Sequence, residues 1–319
     1  MITNELNTGL VNAVREKLPS KENLANTLMD ILYIGKEAIY RRLRGEVPFT
    51  LTEAAIISRK LGISLDKMIG VSFQNNAVFD MNIVGSNKPL ETYYSMLEKQ
   101  VELFHAVEED ENSEIGTSSN IIPQTLSLNY DMLSKFRSFK WMYQNENIRC
   151  KHFDELNIPQ NMVDKQKEYA RMVSRIHSVD YIWDNMIFSH LVTDIQYFCS
   201  IHLITDEDKN LLKEELFVLI DEMEALAARG KSKAGNDVRI YISNINFEAT
   251  YSYLETSSTQ LSLIRIYSIN SITTQDPEMF RGLKEWIQSL KKFSTLISES
   301  GEMQRIQFFK QQREIISTL

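Results

Sequence analysis

The stretch VRIYISNINFEATYSYLETSSTQLSLIRIYSINS, residues 238–271, is where the chain stops reading as helix. Three runs within it alternate with period two: Val238 to Ser243, Ala249 to Glu255 and Leu261 to Ile269. Alternation in segments rich in Ile, Tyr and Thr is the pattern of a strand. Turn residues break the runs at Asn244–Asn246 and Thr256–Ser258, so the spacing predicts a three-stranded antiparallel meander. In the third run Leu261, Leu263 and Tyr267 point one way, and Ile264 and Ile266 the other. A strand apolar on both faces is covered on both faces.

On either side the periodicity is helical. Downstream, Asp276-Pro277-Glu278 opens a long helix, with Asp at the N-cap and Pro at the first helical position. Its stripe is Leu283, Trp286, Ile287, Leu290, Phe293 and Ile297, and a final helix follows Gly301. Upstream, helices are predicted at about 90–107, 133–143, 160–177, 184–203 and 206–229, the last capped by Thr205. The acidic stretch EEDENSEIGTSSN, 108–120, reads as a loop. The aromatics Phe136, Phe139, Trp141 and Tyr143 read as core. With 11 Gly and 6 Pro in 319 residues, helix breakers are scarce. The fold class expected is mainly α with a small antiparallel sheet, α+β. The domains expected are 1–72, a linker over 73–88, and a body over 89–319, helical to about 230 with the meander and terminal helices in 236–319.

Composition narrows the function classes. Hydrophobic residues are 43% and charged residues 24%, an ordinary globular balance. The most apolar long segment, Tyr181 to Ile204, is interrupted by Asp184, His190, Asp194 and His202, so it reads as buried helix rather than membrane span. Two cysteines, Cys150 and Cys199, are too few for a disulfide framework. The five histidines show no zinc-type spacing, and no phosphate loop or nucleophile elbow is present. The expectation is a cytoplasmic protein that is not an enzyme and carries no metal or cofactor.

Charge is uneven. Residues 1–70 hold 10 of the 35 Lys/Arg and 8 of the 43 Asp/Glu, so they are net basic in a chain of formal charge −8. Lys36, Arg41, Arg42 and Arg44 crowd into YIGKEAIYRRLRG, residues 33–45. At about 100° per residue, Ile39 and Leu43 share one helix face and Glu37, Tyr40, Arg41 and Arg44 the opposite one. Ahead of this segment, Leu10, Val11, Val14 and Leu18 predict one helix. Ser20 is placed to cap a second, with Ala25, Leu28, Met29 and Leu32 as its stripe. Behind it, Thr50-Leu51-Thr52-Glu53 matches a capping box, Gly62 ends that helix, and Leu65, Met68 and Ile69 belong to a fifth.

The order helix, turn, basic helix, capped helix resembles the phage-repressor-like helix-turn-helix of the Xre family. The resemblance rests on the Tyr33-Ile34-Gly35 turn, on Ile39 to Gly45, and on the run RKLGISLDKM, Arg59 to Met68. The turn has Tyr33 where such modules usually have glycine. The resemblance implies that the Lys36–Arg44 helix enters the major groove. Arg41 suits a bidentate contact to guanine and Glu37 a cytosine amine, with Tyr40 on a thymine methyl or a phosphate. Lys36, Arg42 and Arg44 suit phosphates.

The expected function is a transcriptional regulator on double-stranded DNA, working as a homodimer. Its body would sense a small-molecule or protein effector, with Tyr241, Tyr251, Tyr253 and Tyr267 as candidate ligand-binding residues. The alternatives are an interaction protein whose body binds a partner while the module tethers it to DNA, and an enzyme with a DNA-binding appendage.

Overall fold

The computed structural model describes residues 2–18, 21–65, 77–85, 88–144 and 151–319. Ser20, Cys150 and the close of the RKLGISLDKM run with its expected fifth helix lie outside the described residues. The chain divides into two compact units, Met1–Val78 and Phe79–Leu319.

In the first unit α1 (Ile2–Lys17), α2 (Lys21–Leu32), α3 (Lys36–Leu43) and α4 (Leu51–Leu61) surround one small core. Leu10 and Val14 of α1, Leu28 and Leu32 of α2, Ile39 of α3 and Ile57 of α4 meet there. Each helix contributes the apolar stripe its spacing dictates. The α4 capping box is reciprocal: the Thr50 hydroxyl accepts from the Glu53 amide (3.2 Å), and the Glu53 carboxylate accepts from the Thr50 amide (2.8 Å). Gly62 closes α4 in the left-handed region at φ 64°, where a side chain would be strained.

The second unit is built on an eight-stranded mixed sheet. Its strands are β1 (Asp80–Asn82), β2 (Glu114–Ser119), β3 (Ser178–Asp184), β4 (Asp237–Ser243), β5 (Tyr251–Glu255), β6 (Gln260–Ile266), β7 (Asn270–Thr274) and β8 (Ser294–Leu296). The order across the sheet is β1-β7-β6-β5-β2-β3-β4-β8. Strands β2, β3 and β4 run parallel, and every other pairing is antiparallel. Long helical crossovers join the parallel strands, as parallel pairing requires. The helices of this unit are α5 (Pro89–His105), α6 (Gln124–Ser127), α7 (Asp131–Tyr143), α8 (Gln160–Val173), α9 (Ser189–Ser200), α10 (Asp206–Arg229), α11 (Pro277–Leu290) and α12 (Glu302–Ser317).

This overturns the expected small three-stranded antiparallel sheet. Each of the three runs contains a strand, though the third ends at Ile266 and turns over Tyr267 to Ile269; β4 pairs with β3 and β8 and lies away from β5. The meander is β5-β6-β7. The 108–120 segment, expected as a loop, contains the central strand β2. Its Gly116, Thr117, Ser118 and Ser119 are all buried, so it is filled by small side chains rather than by an apolar alternation. Strand β3 takes Tyr181–Asp184 out of the segment expected as buried helix, and it is buried on both faces, like most parallel strands. The helix expected to run through Ile297 ends at Leu290; Ser294–Leu296 pairs instead along β4. Strand β1 falls inside the stretch 73–88 expected as linker.

Two cores flank the sheet. The larger collects residues of α5, α7, α8, α9, α10 and α12 against one face, with Val179 and Trp183 of β3. The smaller lies under α11, where Phe280, Leu283 and Ile287 meet Ile182 and Tyr253. The alternation of β3 side chains across the two cores follows from the period-two pleat. Among the described residues, no helix is long and apolar enough to cross a membrane.

Candidate functional site

Helix α3 is short, and its orientation is set by the side chains it buries. Ile39 is fully buried, while Tyr33 at the preceding turn is 92% exposed. Arg15 of α1 donates to the Leu43 carbonyl (3.4 Å), holding the far end of α3. Gly35 is the N-cap, with no side-chain partner for the first amides of the helix. Those amides and the helix dipole make that end attractive to an anion.

The outward face carries Glu37, Tyr40, Arg41 and Arg44, all exposed. Lys36, also exposed, places its ammonium 5.9 Å from the Tyr40 ring centre. Arg44 is bound to Glu46 at 2.6 Å, and Arg41 stands 3.5 Å from the same carboxylate. Hydrogen bonding to Arg44 holds the Glu46 carboxyl below its ordinary range. Arg42, expected among the phosphate contacts, is turned inward. It makes a two-pronged ion pair with Glu53 of α4 (3.0 and 2.8 Å) and donates to the Ala38 carbonyl at 3.2 Å. With both side chains only 15% exposed, Arg42 ties α3 to α4.

Of the four tyrosines expected to bind a ligand, Tyr241, Tyr251 and Tyr253 pack on the core under α11, while Tyr267 lies apart from them. Tyr251 packs edge-on against Trp286 of α11 (5.0 Å), and the Lys291 ammonium lies over Tyr241. Tyr253 packs against Phe280 and donates to Glu114. Tyr267 sits in the β6–β7 turn at φ 44° and is 75% exposed. These are packing and turn residues of the α11 side and the sheet edge.

The second unit instead holds a cavity of about 250 Å³ on the other face of the sheet. The pleat sends Ile115, Thr117 and Ser119 of β2, Ser252 and Leu254 of β5, and Leu261, Leu263 and Arg265 of β6 toward it. Helices α5, α7 and α8 contribute Gln100, Phe104, Arg137 and Tyr169, and the short α6 contributes Gln124 and Thr125. Tyr253 borders it only from within β5, its ring being on the opposite face.

Arg137 donates to the Gln124 side chain (2.9 Å), whose amide in turn donates to the Tyr93 hydroxyl (3.0 Å). Arg265 reaches the Ile269 carbonyl at 3.5 Å. Neither arginine has a carboxylate within ion-pair distance among the described residues. Burial, reinforced by the charge of Arg137, pushes the Arg265 guanidinium down to about 10. It still carries its proton at neutral pH. Burial likewise pushes the Tyr181 hydroxyl up to about 12, so it faces the cavity as a neutral group bonded to Thr125 (3.2 Å).

The two arginines were missed in sequence because their neighbours read as core. Arg265 nonetheless shares the parity of Leu261 and Leu263, and Arg137 stands four residues after buried Leu133. A charged residue on an inward face is the signal that could have found both. Among the described residues, no cluster of His, Cys, Asp and Glu could hold a metal. No family model, no curated protein and no solved structure matches this chain.

Proposed function

We propose that this chain is a sequence-specific, DNA-binding transcriptional regulator of the cytoplasm. In this reading its first unit reads duplex DNA through α3, and its second dimerises and senses a small molecule. The observation that carries the reading is the arrangement of α3. A fully buried Ile39 and an Arg42–Glu53 clamp fix the helix, while Glu37, Tyr40, Arg41 and Arg44 are left in solvent on one face. A rigidly held helix with a basic, aromatic outer stripe suits major-groove entry. The resemblance to Xre-type helix-turn-helix modules supports the same docking. One short helix makes few contacts, so two copies on a palindromic site are expected.

A concave cavity with convergent polar groups suits sensing better than docking of a protein partner. The first strand after the DNA-reading unit, β1, contributes Asn82 to its wall. Occupancy of the cavity thus has a covalent route to the segment that leads from one unit into the other.

The test is selection of duplexes from a random pool by the full-length chain at fixed salt, followed by salt titration of the winners. Enrichment of a palindromic sequence with a steep salt dependence is expected. A chain that enriches nothing, or binds without salt dependence, sinks the reading.

A further inference from the structure

We infer that the cavity of the second unit is a binding site for a small organic anion. Its carboxylate or phosphate group would sit against Arg137 and Arg265, and a compact apolar frame would rest against Ile115, Leu261 and Leu263. This deepens the regulator reading by giving the sensed molecule a chemical class. It rests on that reading for its regulatory consequence alone.

Two like charges facing one cavity are the main argument. Both side chains are half-buried, and an unpaired charge drawn partly out of water is unfavourable, with a second cation beside it adding repulsion. Each guanidinium carries five N–H donors. One donor of Arg137 and one of Arg265 find a protein acceptor, the latter at the long distance of 3.5 Å. Among the described residues the remaining donors have no protein acceptor, and no carboxylate balances the charge. Folding alone does not explain such a pair, because Met or Leu at either place would fill the same space without the penalty. Planar, forked donors that converge on one space are suited to a carboxylate or a phosphate.

A second observation is independent of the arginines. The side-chain oxygen of Gln100, on α5, is buried with no hydrogen-bond partner, and Gln100 lines the same cavity. An orphaned buried acceptor calls for a donor. A ligand N–H or O–H supplies it. The remaining polar wall is made of hydroxyls, among them Thr117, Ser119, Thr125 and Tyr181, of the amides of Asn82 and Gln275, and of Lys99. None of these carries a negative charge, so none repels an anion. The rest of the wall is apolar. The volume of about 250 Å³ lies below the roughly 300–1,000 Å³ of most small-molecule sites, which limits the occupant to a small molecule.

Four probes on the purified full chain, without DNA, separate the components. They are para-hydroxyphenylacetate, its neutral amide, phenyl phosphate and inorganic phosphate, each followed by calorimetry and by the thermal midpoint. The acid should bind at least about tenfold more tightly than the amide, since only the acid offers a charged acceptor to the two guanidinium groups. The stronger of the acid and phenyl phosphate identifies the headgroup. Inorganic phosphate at millimolar concentration should raise the midpoint.

Arg265→Met should abolish these responses while leaving the ligand-free midpoint unchanged or higher, because it removes an unbalanced charge. Arg265→Lys should restore part of the binding. Equal binding of acid and amide overturns the assignment. So does an anion response that survives in Arg265→Met, or the lack of any response to all three anions in the wild type. DNA selection by the same variants is a separate readout. If anions bind and no duplex is enriched, the ligand class stands and the regulator reading falls; the converse result reverses the two.

Discussion

At the scale of the residue, Arg41 and Arg44 share one carboxylate, and their geometry assigns them different work. Arg44 already hydrogen bonds Glu46, and Arg41 stands further from it. Arg41→Ala should relax base preference and cost about 1–3 kcal/mol on the best site, read by competition between duplexes. Arg44→Ala should weaken all duplexes alike and lower the salt slope by about one. If the two variants behave identically, the division of labour is wrong. Tyr33 is a second residue-scale case. It adopts φ 56° and is almost fully exposed, so its ring offsets little of the strain. Tyr33→Gly should raise stability by about 0.5–1 kcal/mol, while Tyr33→Val should lower it by at least about 1 kcal/mol, as measured by denaturant unfolding.

At the scale of the element, the join between α3 and α4 depends on Glu53, which serves the capping box and Arg42 together. Burial alone would raise its carboxyl, but the Arg42 guanidinium and the Thr50 amide outweigh burial and hold it below 4.5. A lowered folded-state value contributes stability above the unfolded value, and that contribution is lost as pH falls through the folded one. The unfolding midpoint should therefore drop in acid below about pH 4.5. Glu53→Gln should lower the midpoint near neutrality, by about 1–2 kcal/mol in stability, and flatten its acid slope. An unchanged acid slope in the variant would show that other carboxylates dominate. Strand β2 offers a comparable test by packing. A Cβ at Gly116 would run into the Tyr253 ring, so Gly116→Ala should cost about 1–3 kcal/mol even though its backbone is ordinary.

At the scale of the whole molecule, Asp180 shows how far the sheet depends on partners distant in sequence. Its carboxylate is fully buried on β3 between Arg239 of β4 (2.5 Å) and Lys291 beyond α11. Asp180→Ala should cost about 3 kcal/mol, read as a loss of midpoint for the second unit, because it leaves two cations facing a site built for an anion. Arg239→Met together with Lys291→Met should recover part of that loss when combined with Asp180→Leu.

What was legible in the sequence was what neighbouring residues decide among themselves. The Thr50 capping box, the Thr205 cap, the Asp276 cap with Pro277, the α3 wheel and the strand character of the runs from Val238, Ala249 and Leu261 all rest on interactions spanning a few residues. Strand pairing does not. Whether β4 lies beside β5 or beside β3 depends on which faces must be buried once the crossover helices have packed. The period-two pattern of β4 is the same in either place. Nor could local pattern reveal β2, whose burial depends on hydroxyls satisfied across the sheet, such as Ser252 donating to Thr117 at 2.8 Å. The cavity is the clearest case. Arg137 and Arg265 are 128 positions apart, and each alone is an ordinary arginine. Only the tertiary structure brings them to one space with no acid among the described residues to balance them, because proximity in a folded chain comes from packing and the sequence states only the order of its residues.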